Sequence, residues 1–298
     1  MAKEDNKDEF ELEIEDVEQS KRHIVLYIFL GIIVLFCFIL LYSRYIATSI
    51  IKIDEHPIYT DKIYDEADGF KIVHFSDLLY GSTISDKKLA KIVDDINLLK
   101  PDVVLFTGGL ISSDYKLNND SIDNIIKNMK NIDSKYGKYA IRGDEDFKND
   151  TFIEIMEQSD FKYLDNSYDF IYLSNNKYIF IGGITSSLKS HDNYDLIKTF
   201  NDESIYKIIL MHEPDNIDNV LKNIKPDLAL AGHSLLGQFR LPFIGGISYD
   251  DGSKKYTNNY YNLSGTEFYI SSGIGTKDYP FRFLNNPKIN FYRIIKNT

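Results

Sequence analysis

DGFKIVHFSDL, residues 68–78, and PDVVLFTGGL, residues 101–110, decide the fold. Each is a short run of aromatic and β-branched residues that stops abruptly at Asp or Gly, the pattern of a buried strand opening into a turn. Between them Ser85 stands at a cap position before DKKLAKIVDDINLLK, in which Leu89, Ile92, Val93 and Ile96 share one helical face. Pro101 ends that helix. Strand, helix, strand in this order is the alternation of an α/β fold. Working outward, further strands are predicted at 138–142, 169–173, 177–182, 206–211, 227–231, 267–271 and 290–295. Helices are predicted at 121–132, 151–158 and 214–223. No internal repeat and no Pro/Gly/Ser-rich linker divides residues 46–298, so a single α/β domain is expected. Its strands end in FSDLLYG, FTGGLISSD, IRGDEDF, LMHEPD and LAGHSLLGQFRLP. Ligands of α/β proteins gather at the carboxyl ends of strands, which is where these Asp, His and Gly residues fall.

The chain has 298 residues and a formal charge of −11. Residues 1–22 carry −5 of it and residues 46–298 carry −7. An acidic body excludes nucleic acid as a bulk electrostatic partner. One cysteine, Cys37, excludes a disulfide framework and a thiolate zinc site. From Ile24 to Tyr42 the chain runs without a charge, long enough as a helix to cross the hydrocarbon of a bilayer at about 1.5 Å per residue. Lys21, Arg22 and His23 precede the run, and Arg44 and Tyr45 follow at interface depth. The expected organisation is an acidic, disordered tail over residues 1–22, a transmembrane signal anchor over 23–45 and a folded body over 46–298. Lys21 and Arg22 favour a cytoplasmic N-terminus. This makes a single-pass protein of the cell membrane with an extracytoplasmic body.

The strand-end segments resemble the motif series of the calcineurin-like metallophosphoesterases, most closely the membrane-associated bacterial branch. That series reads D-x-H, G-D, G-N-H-[DE], an isolated His and G-H-x-H. The resemblance extends over residues 46–298, including DGFKIVHFSDL, PDVVLFTG, YGKYAIRG and the tail YISSGIGT…PFRFLNNPKINFY. It implies a four-layer α/β/β/α sandwich behind the N-terminal transmembrane helix, with two adjacent divalent ions bridged by the Asp of G-D.

Carried over position by position, the resemblance is broken on one side. Asp77 matches the first Asp, but Leu79 stands at the His of D-x-H and Gly109 at the bridging Asp. Asp144 replaces the Asn of G-N-H-D, and Glu145 replaces its proton-donating His. Asp146 matches the Asp that orients that His. His212 and His233 match the histidines of the second metal. Leu235 replaces the last His of G-H-x-H, and Leu236 replaces a Gly just beyond it. The first metal's set therefore reads Asp77, Leu79, Gly109, Leu235, and a lone, vestigial carboxylate cannot hold a dication. Leu79 and Leu235 are expected to meet and fill the vacated space.

The second set reads Asp144, His212, His233, which suits one Zn, Mn or Fe ion with open positions, or stands as a relic held by hydrogen bonds. At most one divalent metal is expected, or none. Two functions follow. The first is a catalytically inactive pseudo-phosphoesterase that binds a protein or envelope ligand at the membrane. The second is a one-metal phosphoesterase acting on a phosphomono- or diester, with Glu145 as a weak proton donor if its carboxyl is raised in pKa. Of the other histidines, His74 reads as a packed strand residue, and His56 and His191 as solvent-facing.

Overall fold

The computed structural model describes residues 2–148, 150–174, 177–190, 193–200 and 202–297; His191 lies outside them. The chain divides into two units, Met1–Ile46 and Ala47–Thr298. The first is helix α1 (Ala2–Leu41) and the turn that follows it, and its stretch Lys21–Ile46 is long and apolar enough to cross a membrane. Helix α1 includes the acidic residues 2–22 in continuity with the apolar stretch. Glu, Leu, Ala and Lys are good helix formers, and a tail that extends an existing helix escapes the cost of nucleation.

The second unit opens with β1 (Lys52–Thr60), β2 (Phe70–Phe75), α2 (Asp86–Leu98), β3 (Val103–Phe106), α3 (Asn119–Lys130), β4 (Lys138–Ala140), α4 (Thr151–Gln158) and β5 (Phe161–Tyr163). It continues with β6 (Ser167–Ser174), β7 (Lys177–Gly183), β8 (Lys207–Leu210), α5 (Ile217–Asn223) and β9 (Leu228–Ala231). The last strands are β10 (Arg240–Leu241), β11 (Gly245–Gly246), β12 (Tyr260–Leu263), β13 (Thr266–Ile270) and β14 (Lys288–Lys296). Two six-stranded sheets result, ordered β1-β14-β2-β3-β4-β5 and β12-β13-β9-β8-β7-β6, with a separate β10-β11 hairpin. In the first sheet β2, β3, β4 and β5 run parallel; in the second β13, β9, β8 and β7 do.

The pleat distributes the apolar residues over three cores. Val104 and Phe106 of β3 pack under Leu89, Ile92, Ile125 and Ile155 of the three helices on the outer face. Their neighbours Val103 and Leu105 point the other way, toward Ile208 and Leu210 of the second sheet. On that sheet's far side Ile209, Ala229 and Phe268 meet Ile217 and Val220 of α5. Period-two alternation with both faces apolar is what a strand covered on both sides requires. The layers are helix, sheet, sheet, helix.

Local departures from expectation have local causes. Ser85 sits at the cap of α2 in extended conformation, but its side chain makes no capping bond. Helix α3 starts at Asn119 rather than Ser121, because Asn118 Oδ1 accepts from Ser121 N at 2.8 Å. β1 escapes the hydrophobic pattern as an edge strand with Pro57 in its middle, paired on one side to β14. His56, expected in solvent, packs against the rings of Tyr269 and Tyr292, 4.8 and 5.5 Å between centroids.

Candidate metal centre

The turns after β2, β3, β4, β8 and β9 bring the strand-end residues together. Their backbones are unusual for the residues they carry. Asp77, Leu79, His233, Leu235 and Leu236 all hold φ between +44° and +64°, a region that costs a side-chain-bearing residue about 1–2 kcal/mol each. Strain of this kind persists only where surrounding contacts fix it. Here Asp77 N donates to Gly108 O, Leu79 N to Gly109 O and His233 N to the Asp77 carboxylate.

Asp144, His212 and His233 are buried, with one potential ligand atom of each within 4.8 Å of the others. Asp144 Oδ1 is 3.1 Å from His212 Nε2 and 3.4 Å from His233 Nδ1. The outer nitrogens are anchored: His212 Nδ1 donates to Thr107 O at 2.6 Å and His233 Nε2 to Asp251 O at 2.8 Å. A carbonyl partner on one ring nitrogen fixes the tautomer and aims the other nitrogen's lone pair inward, as metal-ligating histidines require. Gly143 is needed for this, since a Cβ there would lie 2.5 Å from His212 Cε1.

Burial alone would raise the Asp144 pKa, but hydrogen bonds from His212 and His233 overcome it and hold the carboxyl well below its usual range. Burial would lower that of His212, yet Asp144, with Asp77 and Glu213, pushes it up to about 10. Two imidazoles and a carboxylate so arranged fit one transition ion, and a proton on His212 occupies its place otherwise.

The other half does not fit an ion. The Asp77 carboxylate is engaged by Ser76 Oγ at 2.5 Å and by His233 N at 3.0 Å. Gly109 offers no side chain, and a Cβ on it would lie 2.8 Å from Asp77 Cα. Leu79 and Leu235, both buried, pack onto the two ends of the Gly273–Gly275 segment. Cβ atoms on those glycines would lie 2.3 Å from Leu235 Cδ2 and 2.7 Å from Leu79 Cβ. Leu235 lies against Gly273 and Leu79 against Gly275. Behind it the buried Arg282 guanidinium donates to Gly275 O, Ser272 O and Asn285 O. Burial lowers its pKa to about 9 against the attraction of Asp77, so a cation of the chain itself lies near the vestigial carboxylate.

The three consecutive acids have three different fates. Asp144 faces the histidines. Glu145 is held by Lys148 at 2.6 Å and by Lys277 at 3.7 Å. Asp146 accepts from Gly109 N, Gly143 N and Leu110 N at 2.7–2.8 Å, tying the β3 and β4 turns together. Burial pushes its carboxyl up to about 6 despite those three donors. Arg142, a possible neutraliser of this run, instead pairs with Asp165 and stacks on Phe147.

Lys277 and Asp250, absent from the sequence reading, complete the site. Lys277 Nζ lies 2.8 Å from Asp250 and 3.8 Å from Asp144. Burial would lower its pKa, but Asp144, Asp250 and Glu145 raise it above the ordinary value, so the ammonium is permanent. Only the position of the ISSGIGTKDYP segment after β13 hinted at such a role. A cleft of about 290 Å³ opens beside the triad, lined by His233, Phe239, Ile247, Tyr249, Lys277 and Tyr279 among others.

Facing sheets, strand-end turns and a His/His/Asp centre define a metallophosphoesterase fold. The family model of the calcineurin-like phosphoesterases matches residues 70–236, more than half of the chain, and the protein belongs to that family. It is 28% identical over 256 residues to an uncharacterized metallophosphoesterase, YkuE, of Bacillus subtilis (strain 168), covering 85% of this chain and 88% of that one. It is 27% identical over 259 residues to an uncharacterized metallophosphoesterase of Helicobacter pylori (strain J99), covering 82% of this chain and 64% of that one. A transmembrane protein with metallophosphoesterase domain from Danio rerio is 24% identical over 253 residues, and this chain spans 56% of its length. In this chain Asp144, His212 and His233 would hold an ion, which when bound supplies positive charge to a phosphate oxygen.

Proposed function

We propose that the protein is a membrane-anchored, degenerate metallophosphoesterase that binds a phosphorylated ligand of the cell envelope at a single-ion site and does not turn it over efficiently. The observation that carries this reading is the closed half-site of Asp77, Leu79, Gly109 and Leu235. Two-ion phosphoester hydrolysis draws several kcal/mol from charge placed on both sides of the reacting group. Glu145, at the position of the family's proton donor, is engaged with two ammonium groups, and loss of general acid assistance costs about 10²–10⁴-fold. Lys277 and one ion still give the cleft two positive charges toward a phosphate. The apolar helix is read as a single-pass anchor, with the N-terminus cytoplasmic and the body outside. An acidic body argues against nucleic acid as the ligand and leaves a protein or envelope component as partner.

The intact Asp144, His212, His233 group favours a second reading, slow one-ion hydrolysis of a phosphomono- or diester. Metal analysis of the purified full chain, with bis-p-nitrophenyl phosphate hydrolysis under Mn²⁺ or Zn²⁺, separates the two. The first reading expects about one ion per chain and hydrolysis unchanged by His233→Ala. Hydrolysis above background that His233→Ala abolishes would replace it with the second.

A further inference from the structure

The β10-β11 hairpin carries Phe243, the most exposed apolar side chain among the described residues of the second unit, with two further exposed apolar residues beside it. Its tip, Leu241-Pro242-Phe243-Ile244, leaves Phe243 fully exposed and Ile244 at 74%; Ile247 just beyond it stands at 64%. No charge occurs between Leu241 and Tyr249. The hairpin is held rather than loose. Arg240 Nη1 donates to Leu236 O at 2.7 Å, Ile247 N to Phe239 O at 3.0 Å and Gly246 N to the Tyr249 hydroxyl at 3.0 Å. A clustered apolar projection of this kind marks an interaction site rather than ordinary surface.

We propose that this hairpin docks into the interfacial layer of a lipid bilayer. Two observations select lipid over protein as the occupant. The strongly exposed apolar set is three side chains of one short hairpin, Phe243, Ile244 and Ile247, whereas a stable protein partner needs a face of roughly 800 Å² on each side; a lipid surface accepts a small apolar tip. Chain connectivity also tethers the hairpin root to the apolar stretch. Arg240 lines one cleft together with Lys52, and Lys52 is six residues beyond Ile46, the end of that stretch. Six residues reach at most about 20 Å, so in an anchored chain Lys52 stays within that reach of the end of the apolar stretch. The net charge of the body disfavours an anionic headgroup attraction, so apolar insertion drives the contact and zwitterionic lipid suffices. Ile247 lines the cleft beside His233, so docking brings the mouth of that cleft to headgroup level.

The proposal rests on the membrane anchoring proposed above, and the test separates the two. The chain has no tryptophan, so Phe243→Trp introduces a single tryptophan, which red-edge excitation reads apart from the tyrosines. Full-length Phe243→Trp, Ile244→Trp and Leu98→Trp are reconstituted into phosphatidylcholine vesicles with brominated acyl chains. Leu98, 77% exposed at the end of α2, is the reference on another surface. Co-flotation with vesicles reports the anchor. Docking predicts blue-shifted emission from positions 243 and 244 and several-fold stronger bromine quenching than at position 98. Co-flotation with equal quenching at all three positions would overturn docking alone, and so would shielding from aqueous iodide without bromine quenching, the mark of a protein contact. Failure to float would overturn anchoring and docking together.

Discussion

Gly109→Ala tests whether the bridging position has closed. Two costs are expected. At φ +78° an alanine is strained by about 1 kcal/mol. Its Cβ would also lie 2.8 Å from Asp77 Cα and 2.9 Å from Asp77 Oδ1, against backbone that cannot swing aside. Relieving that overlap must disturb the Gly109 N–H bond to Asp146 at 2.7 Å or the Asp77 turn, adding about 1–3 kcal/mol. Gly69 provides the control, because its φ is +79° and nothing lies within 4 Å of a Cβ there. Gly69→Ala should cost about 1 kcal/mol and Gly109→Ala about 2–4 kcal/mol. At about 2–4 °C per kcal/mol for a body of this size, the Gly109 variant should melt several degrees below the Gly69 variant. Thermal unfolding of the full chain in detergent, followed by near-ultraviolet circular dichroism, measures both. Equal melting temperatures would show that an acidic side chain still has room at position 109, and the closed half-site would be refuted.

Three other outcomes follow from the same contacts. His74 is buried against Thr107 Oγ1, and burial lowers its pKa from 6.5 to about 3. The unfolded chain therefore protonates first as pH falls, so stability is lost downward from pH 6.5, by about 2 kcal/mol at pH 5; urea titrations of His74→Gln should lack that loss. An ion entering the triad displaces the proton held by His212, so calorimetry in buffers of different ionisation enthalpy should register proton release near pH 7 that His212→Ala abolishes. Lys277→Met should weaken inorganic phosphate binding to the metal-loaded protein by roughly tenfold, the equivalent of about 1.4 kcal/mol, and an unchanged affinity would remove Lys277 from the ligand site.

How far the sequence speaks for this molecule depends on whether a residue acts through its neighbours in the chain or across it. Val103 to Phe106 and Ile208 to Leu210 show their strands directly, because both faces are apolar and the turn residues follow at once. β1 does not: KIDEHPIYT is mostly exposed on its free edge, and its pairing with β14 joins residues more than two hundred positions apart. The acidic tail shows another limit, since composition speaks to the lack of a core and not to a helix that continues from the apolar stretch. At the site, Asp144, His212 and His233 are legible as a set through the resemblance, and the fold brings them together. Lys277 is not legible, because a lysine between Thr276 and Asp278 looks like any loop lysine until Asp144, Glu145 and Asp250 surround it. Asp146 reads as an orienting acid, yet its bonds run to three backbone N–H groups, a role no side-chain pattern encodes. Gly273 and Gly275 carry no signal in the sequence, and their significance emerges only when Leu235 and Leu79 lie against them.

The most direct test of the closed half-site is an anomalous-difference map from crystals of the full chain grown with excess Mn²⁺. One peak should appear, coordinated by Asp144, His212 and His233, with the space beside Asp77 filled by Leu79 and Leu235. A second peak on the Asp77 carboxylate would contradict the account.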